Sequence, residues 1–185
     1  MSYQKLDESS YRDVWDMFYS RFAFKPDYHA RNRPAIIEPP PFVTYRFRDA
    51  YGDEDVDDLN RRFVHAFKEI TDPGECMYAL DWQHESYIFC PHEDWSDLPI
   101  SIFPDGDYFI FLNKDFTQGT FGHPWQRSLC VFGERLLQVI REGTPNIIEA
   151  VIRADPSYFG PLIFPSDPEA ARDLIEDPES GLENF

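Results

Sequence analysis

No lysine or arginine occurs between Glu69 and Asn113, although this span contains ten acidic residues. These are Glu69, Asp72, Glu75, Asp81, Glu85, Glu93, Asp94, Asp97, Asp105 and Asp107. The formal net charge of the chain is −17. A field of this sign repels nucleic acid and anionic membranes and attracts cationic partners. We therefore expect a basic protein partner and neither a nucleic-acid nor a membrane partner; acidity that only keeps the protein soluble is the alternative.

Charge is distributed differently on either side of this span. Residues 1–68 are nearly neutral, with twelve acidic and eleven basic residues. Residues 154–185 contain eight acidic residues against Arg172 alone, together with five prolines that prevent long regular elements. We expect residues 1–153 to form a single domain and residues 154–185 to form an acidic, proline-rich arm that is partly ordered.

The chain also lacks the sequence features of membrane proteins, secreted proteins and several enzyme classes. It has no run of eighteen apolar residues, and its first residues have neither the basic nor the apolar region of a signal peptide. We therefore expect a cytoplasmic protein. No GxSxG elbow, phosphate-binding loop, GxGxxG fingerprint or HExxH motif is present. We expect no cofactor and assign no metal ligands from motif spacing.

Cysteine is scarce, with Cys76, Cys90 and Cys130 as the three in the chain. An odd number of cysteines at wide spacing, each within an apolar run, is typical of buried free thiols rather than of disulfides or metal ligands. We expect free thiols.

Apolar residues recur at helical spacing in three segments. The first begins at a cap formed by Ser9 or Ser10 and ends before Pro26, and the second continues to about Ile70. The third covers residues 134–142 and lies between two glycines. Residues 26–41, which are rich in proline, are expected to run extended over the surface.

Short apolar and aromatic runs predict the strands. They cover residues 42–48, 77–82, 87–90, 99–103, 108–112, 116–121 and 128–132. The turn at residues 104–107 (PDGD) is expected to join the fourth and fifth of these as a hairpin. Helices followed by hairpin-linked strands predict an α+β fold. We expect a mainly antiparallel sheet of about five to seven strands, with two N-terminal helices and one C-terminal helix packed on it.

Three stretches of the central region carry a family resemblance. They read ALDWQHESYIF (79–89), PISIFPDGDYFIFL (99–112) and TFGHPWQRSLCVFG (120–133). Together, in this order, they resemble the bacterial proteins catalogued as domain of unknown function 2716. The resemblance implies a shared fold. It implies no activity, since that family has no established function, and a fold alone does not define one.

Histidines and carboxylates are concentrated in the same region. His84 follows Asp81 by three residues, and a carboxylate that orients a histidine ring can make it a general base. His84 and His123 with Asp81 or Asp107 can equally form a zinc or manganese site. The third interpretation is structural, with both histidines packed among aromatic side chains and hydrogen-bonded to backbone.

The remaining candidates are turn and corner residues. Asp105 and Asp107 flank Gly106, so their first expected role is in the turn. Trp125 is the last residue of the corner at residues 122–125 and either fills the core or lines a pocket.

We expect a non-enzymatic, acidic protein-binding module, in its most concrete form an immunity-type protein that neutralises a basic toxin. The predicted binding residues are Trp82, Gln83, His84, Asp105, Asp107, His123 and Trp125. One alternative is a hydrolase or metal-assisted enzyme with Asp81, His84 and His123 as candidate catalytic residues. The other is a domain that binds a small ligand in an aromatic pocket. A monomer or weak dimer is expected.

Overall fold

One antiparallel sheet runs through the computed structural model, which describes residues 3–28 and 32–164. Its strands are β1 (Tyr3–Lys5), β2 (Phe42–Phe47), β3 (Met77–Asp81), β4 (Tyr87–Phe89), β5 (Phe109–Leu112), β6 (Gly119–His123), β7 (Ser128–Phe132) and β8 (Ile148–Ala154). Their order across the sheet is β1-β4-β3-β5-β6-β7-β2-β8. The predicted α+β fold is confirmed, and the sheet has eight strands rather than five to seven.

The three helices of the described residues are α1 (Glu8–Phe22), α2 (Asp53–Glu69) and α3 (Glu134–Glu142). Asp7 caps α1, since its carboxylate accepts a hydrogen bond of 2.8 Å from the Ser10 amide. The cap is therefore Asp7 and not Ser9 or Ser10, because the side chain that bonds the first free amides precedes the helix. None of these helices is long and apolar enough to cross a membrane.

The sheet separates two apolar cores. On one face α1 buries Val14, Trp15, Phe18 and Phe22 against residues of the central strands β5, β6 and β7. On the other face α2 and α3 pack on alternate residues of the same sheet. Strand alternation explains the division, since neighbouring side chains of one strand point to opposite faces. Both faces are therefore covered in the centre, where every residue of β6 and β7 is buried.

The predicted strand at residues 99–103 is wrong, and with it the hairpin across residues 104–107. Residues 91–108 form an irregular segment. Ile100 and Ile102 are buried in the α2 core, and the Ile102 amide donates to Asn60 Oδ1 on α2 at 3.1 Å. Packing against α2 thus supplies the apolar burial and a backbone hydrogen-bond partner that a strand would otherwise provide. Gly106 has φ +81°, the positive value that was expected of the glycine in this turn, although the turn does not join two strands.

The prediction of free thiols is wrong for two of the three cysteines. Cys76 and Cys90 form a disulfide, while Cys130 is free and buried. Cys76 precedes β3 and Cys90 follows β4, and the neighbouring residues Met77 and Phe89 are paired in the sheet. The register of β3 and β4 therefore brings the two thiols together, and this register is not evident from their separation in the sequence.

The start of the predicted C-terminal arm is part of the sheet. β8 ends at Ala154, and Ile163 returns to form an isolated antiparallel bridge with Ala150. The Phe164 amide donates to the Glu149 carbonyl at 2.7 Å. Residues 165–185 of the arm lie outside the described residues.

Thiol counting tests the cysteine assignment. Protein purified in air and denatured without reductant is expected to show one thiol to Ellman's reagent, because Cys76 and Cys90 are bridged. After reduction it is expected to show three. A count of three before reduction would contradict the pairing, and a non-reducing peptide map provides the control by identifying the linked peptides.

Candidate functional site

The turn between β3 and β4 positions the candidate site. The Ser86 hydroxyl is buried under this turn, where it accepts hydrogen bonds from Trp15 Nε1 at 3.2 Å and from the Asp81 amide at 3.4 Å. The Trp82 amide donates to the Tyr108 carbonyl at 3.3 Å. The turn is thus fixed both to α1 and to the segment that enters β5.

This arrangement brings Asp81, His84 and Asp107 together. Asp81 is paired with Phe109 at the ends of β3 and β5, so Asp107 lies just beyond the paired residues on the neighbouring strand. His84 Nδ1 lies 3.0 Å from Asp81 Oδ1 and 3.6 Å from Asp107 Oδ2. Three residues that are separated by up to 26 positions in the sequence therefore form one cluster, the carboxylate–histidine cluster.

The members of the cluster differ in exposure. The Asp81 and Asp107 side chains are 12% and 11% exposed, whereas the His84 side chain is 68% exposed. Asp107 Oδ1 accepts a hydrogen bond of 2.7 Å from the Tyr108 amide. The two carboxylates therefore lie at the base of the cluster, and the imidazole covers them on the solvent side.

Electrostatics couples the three groups. Burial, reinforced by the neighbouring Asp81 carboxylate, raises the pKa of Asp107 to about 6. The hydrogen bond that His84 donates to Asp81, with further attraction from the charges of Asp81 and Asp107, raises the pKa of His84. When it is protonated, His84 supplies positive charge to both carboxylates.

His123 lies outside the cluster. It is 1% exposed, its Nδ1 accepts from the Gln126 amide at 3.1 Å, and its Nε2 donates to the Asn32 carbonyl at 3.1 Å. This pattern defines the neutral tautomer with the proton on Nε2. Burial lowers the pKa of His123, consistent with a ring that stays uncharged. Both nitrogens are engaged with backbone groups, so His123 fixes the single 3-10 turn at residues 124–126 that follows it.

Aromatic rings adjoin the cluster. Trp82 and Trp125 are half-buried and both pack on the buried ring of Tyr108, with centroid distances of 5.5 and 5.0 Å. Tyr28 covers them from outside, 4.9 Å from Trp82 and 6.2 Å from Trp125, and its side chain is 57% exposed. Trp82 Nε1 donates to the Tyr19 hydroxyl at 3.1 Å. Each ring therefore has a supported position.

Polar residues surround the rings. Gln83 donates to the Tyr28 hydroxyl, and Asp105 is exposed beside Trp125 in a shallow depression. We call the exposed part of this region the aromatic–acidic surface, defined by Tyr28, Trp82, Gln83, His84, Glu85, Asp105 and Trp125. Basic side chains of the described residues reach its rim, and Arg127 lines the depression beside Asp105 and Trp125. Lys5 pairs with Glu85, and Arg33 donates to the Trp125 carbonyl at 3.3 Å.

The structure adds residues that sequence reasoning missed. Tyr28 and Tyr108 complete the ring cluster, and Ser86 supports the turn that carries His84. Tyr28 belongs to a connection without periodicity, so no sequence pattern indicates its position. Tyr108 begins a predicted strand, and alternation places it on the α1 face, which is a signal that points to the same side as Leu80.

Comparisons with known proteins agree with the sequence resemblance. Residues 5–137 match the model of a family described as "Protein of unknown function (DUF2716)". The chain is also similar to the "Uncharacterized protein YxiI" of Bacillus subtilis, at 32% identity over 78% of this chain and 96% of that relative. No solved structure matches it. The matched range contains every predicted site residue, and the resemblance of the three central stretches is confirmed.

Titration of His84 tests the cluster geometry. We expect its pKa, measured by NMR of the imidazole resonances, to lie above the ordinary value because of Asp81. The substitution D81N removes the negative charge and is expected to lower the pKa of His84 towards that value. The circular dichroism spectrum of D81N provides the control, because it shows whether the fold is kept. An unchanged His84 titration in D81N would contradict the contact.

Proposed function

Because the chain belongs to the family described as "Protein of unknown function (DUF2716)", a description that assigns no activity, we propose a function from the geometry of the site. The protein binds a basic protein partner through the aromatic–acidic surface and does not catalyse a reaction. In its most specific form, the proposal is that the protein is an immunity-type protein that neutralises a cationic toxin. The observation that carries the proposal is the presence of half-buried and exposed aromatic rings directly beside carboxylates.

The rings supply the anchors that such an interface needs. Trp and Tyr dominate binding energy at protein interfaces when a partner completes their burial. Trp82 and Trp125 are already fixed on one side by Tyr108, so burial of their exposed parts costs little side-chain entropy. Tyr28, with 57% of its surface exposed, offers the largest additional apolar area among these rings.

The charged residues of the surface orient a cationic partner and speed its association. The exposed carboxylates of Glu85 and Asp105 belong to the span without lysine or arginine, and the overall charge of −17 extends the same field. Complementary charge accelerates encounter with a cationic partner and disfavours acidic ones. Lys5 and Arg33 at the rim limit the acidic region and favour one orientation of the partner.

An enzymatic function receives less support from the geometry. The catalytic alternative requires His84 and His123 to act with Asp81, and both ring nitrogens of His123 are engaged with backbone groups. A small-ligand site is the other alternative. Tyr28 lies over Trp82 and Trp125 and occupies the space in which a flat ligand would stack.

The proposal includes a cytoplasmic location and a monomer that binds one partner. Under reducing conditions Cys76 and Cys90 are expected as thiols, because disulfides seldom persist in that compartment. The pairing of β4 with both β1 and β3 then holds the turn that carries His84.

Binding measurements with a basic protein encoded beside this gene test the proposal. We expect affinity that falls steeply with salt, and a loss of about 30-fold in W82A or Y28A, the magnitude typical of an aromatic anchor. Tyr28 is mostly exposed, so Y28A tests the surface with little effect on folding. Phe159, which is 94% exposed and lies outside the surface, provides the control F159A.

Two results would overturn the proposal. One is the absence of binding, in isothermal titration at low salt, to every basic protein encoded beside the gene. The other is binding that Y28A and F159A weaken equally, because the aromatic–acidic surface would then have no particular part in it.

A further inference from the structure

The carboxylate–histidine cluster has a geometry that partner binding does not require. We propose that Asp81, His84 and Asp107 form a binding site for a divalent transition-metal ion of the zinc or manganese class. One ligand atom from each residue lies within 4.8 Å of the others. The site shares His84 with the aromatic–acidic surface, and its other two ligands are the largely buried carboxylates beneath that surface.

The distances suit a common metal ion. Ligand atoms bound at about 2.1 Å lie roughly 3.0–3.4 Å from one another in octahedral or tetrahedral coordination. His84 Nδ1 is 3.0 Å from Asp81 Oδ1 and 3.6 Å from Asp107 Oδ2. The remaining separation, at most 4.8 Å, closes by side-chain rotation. Upon binding, Nδ1 gives up its proton and coordinates the ion, and Nε2 carries the ring proton on the solvent side.

The surroundings of Asp107 also favour a cation. Its side chain is 11% exposed, and its Oδ1 accepts a hydrogen bond from the Tyr108 amide. Its Oδ2 points to His84 at 3.6 Å, beyond hydrogen-bond distance, and that Nδ1 already contacts Asp81. Within residues 3–28 and 32–164, neither carboxylate is paired with a lysine or arginine. Two largely buried carboxylates that share one imidazole as their nearby cationic group repel each other, and a divalent ion between them offsets that repulsion.

Other described histidines lack such surroundings. His123 has both nitrogens bonded to backbone groups, and His92 Nε2 contacts the Thr71 carbonyl. His65 is exposed on α2 without an ion-pair partner among the described residues. His84 therefore combines a free Nε2 edge with two carboxylates, and no other described histidine does so.

The ligand set defines the class of metal. One imidazole nitrogen and two carboxylate oxygens suit Zn²⁺ or Mn²⁺, whereas Ca²⁺ prefers oxygen alone and Cu⁺ prefers sulfur. Three protein ligands leave coordination positions open towards solvent, where His84 is exposed. Hydrogen bonds also hold the ligand residues in place. The Tyr108 amide donates to the Asp107 carboxylate, and the Asp81 amide donates to the Ser86 hydroxyl.

Metal titration of the full chain tests the site. Protein treated with a chelator is titrated with Zn²⁺ by calorimetry, and Co²⁺ absorption reports the coordination. We expect one ion per chain at this site, an affinity reduced at least about 10-fold in H84Q and in D107N, and no change in H65Q. The visible Co²⁺ bands are expected for the wild type and H65Q and are lost in H84Q.

The proposal is overturned if Zn²⁺ binds H84Q and D107N as it binds the wild type, or if the wild type binds no ion at millimolar concentration. Asparagine at position 107 retains the oxygen that accepts from the Tyr108 amide, and circular dichroism checks its fold. If D107N fails to fold, H84Q decides, because that side chain is largely exposed. The titration contains no partner protein, so its outcome is distinct from that of the partner-binding experiment.

Discussion

Two buried carboxylates meet where the described chain provides neither with a lysine or arginine partner. Asp81 ends β3 and Asp107 precedes β5, and the antiparallel pairing of these strands holds the two side chains side by side. Their repulsion is offset by His84, whose pKa rises in response. The turn between β3 and β4, its anchor on Ser86 and the contact of Trp82 with Tyr108 all keep this arrangement in place. The remainder of the site surrounds these two carboxylates, which attract positive charge.

The proposed partner and the proposed metal ion both bring positive charge to the site, the partner at the exposed surface and the ion beneath it. The partner contacts Glu85 and Asp105 on the exposed surface, and the rings of Tyr28, Trp82 and Trp125 anchor it. The metal ion lies beneath, between the two buried aspartates and His84. Both arrangements depend on long-range packing, because their residues come from separate segments of the chain.

Sequence patterns predicted the elements whose signals are local. The third helix was predicted at residues 134–142 and is observed there, because a glycine lies at each end and the apolar spacing is regular. The strand at residues 128–132 is also confirmed. The predicted strand at residues 99–103 failed because its apolar residues pack on α2, a tertiary contact that short apolar runs do not reveal. β1 has three residues, too few for a readable alternation.

In the candidate site, too, the local contacts were predictable from the sequence and the long-range contacts were not. Asp81 and His84 are three residues apart, and their contact follows from this spacing. The addition of Asp107, the exclusion of His123 and the disulfide between Cys76 and Cys90 depend on strand register and on which ring nitrogens the backbone engages. These features are long-range, so one sequence without its structure could not predict them.

Association kinetics tests the central claim, that an acidic surface with aromatic anchors receives a basic partner. The variant E85Q/D105N removes two charges from the surface, and E54Q/D57N removes two exposed charges from α2 on the opposite face of the sheet. The account predicts that the association rate at low salt falls about 3- to 10-fold in the first variant and changes little in the second. Equal rates in both variants would contradict it.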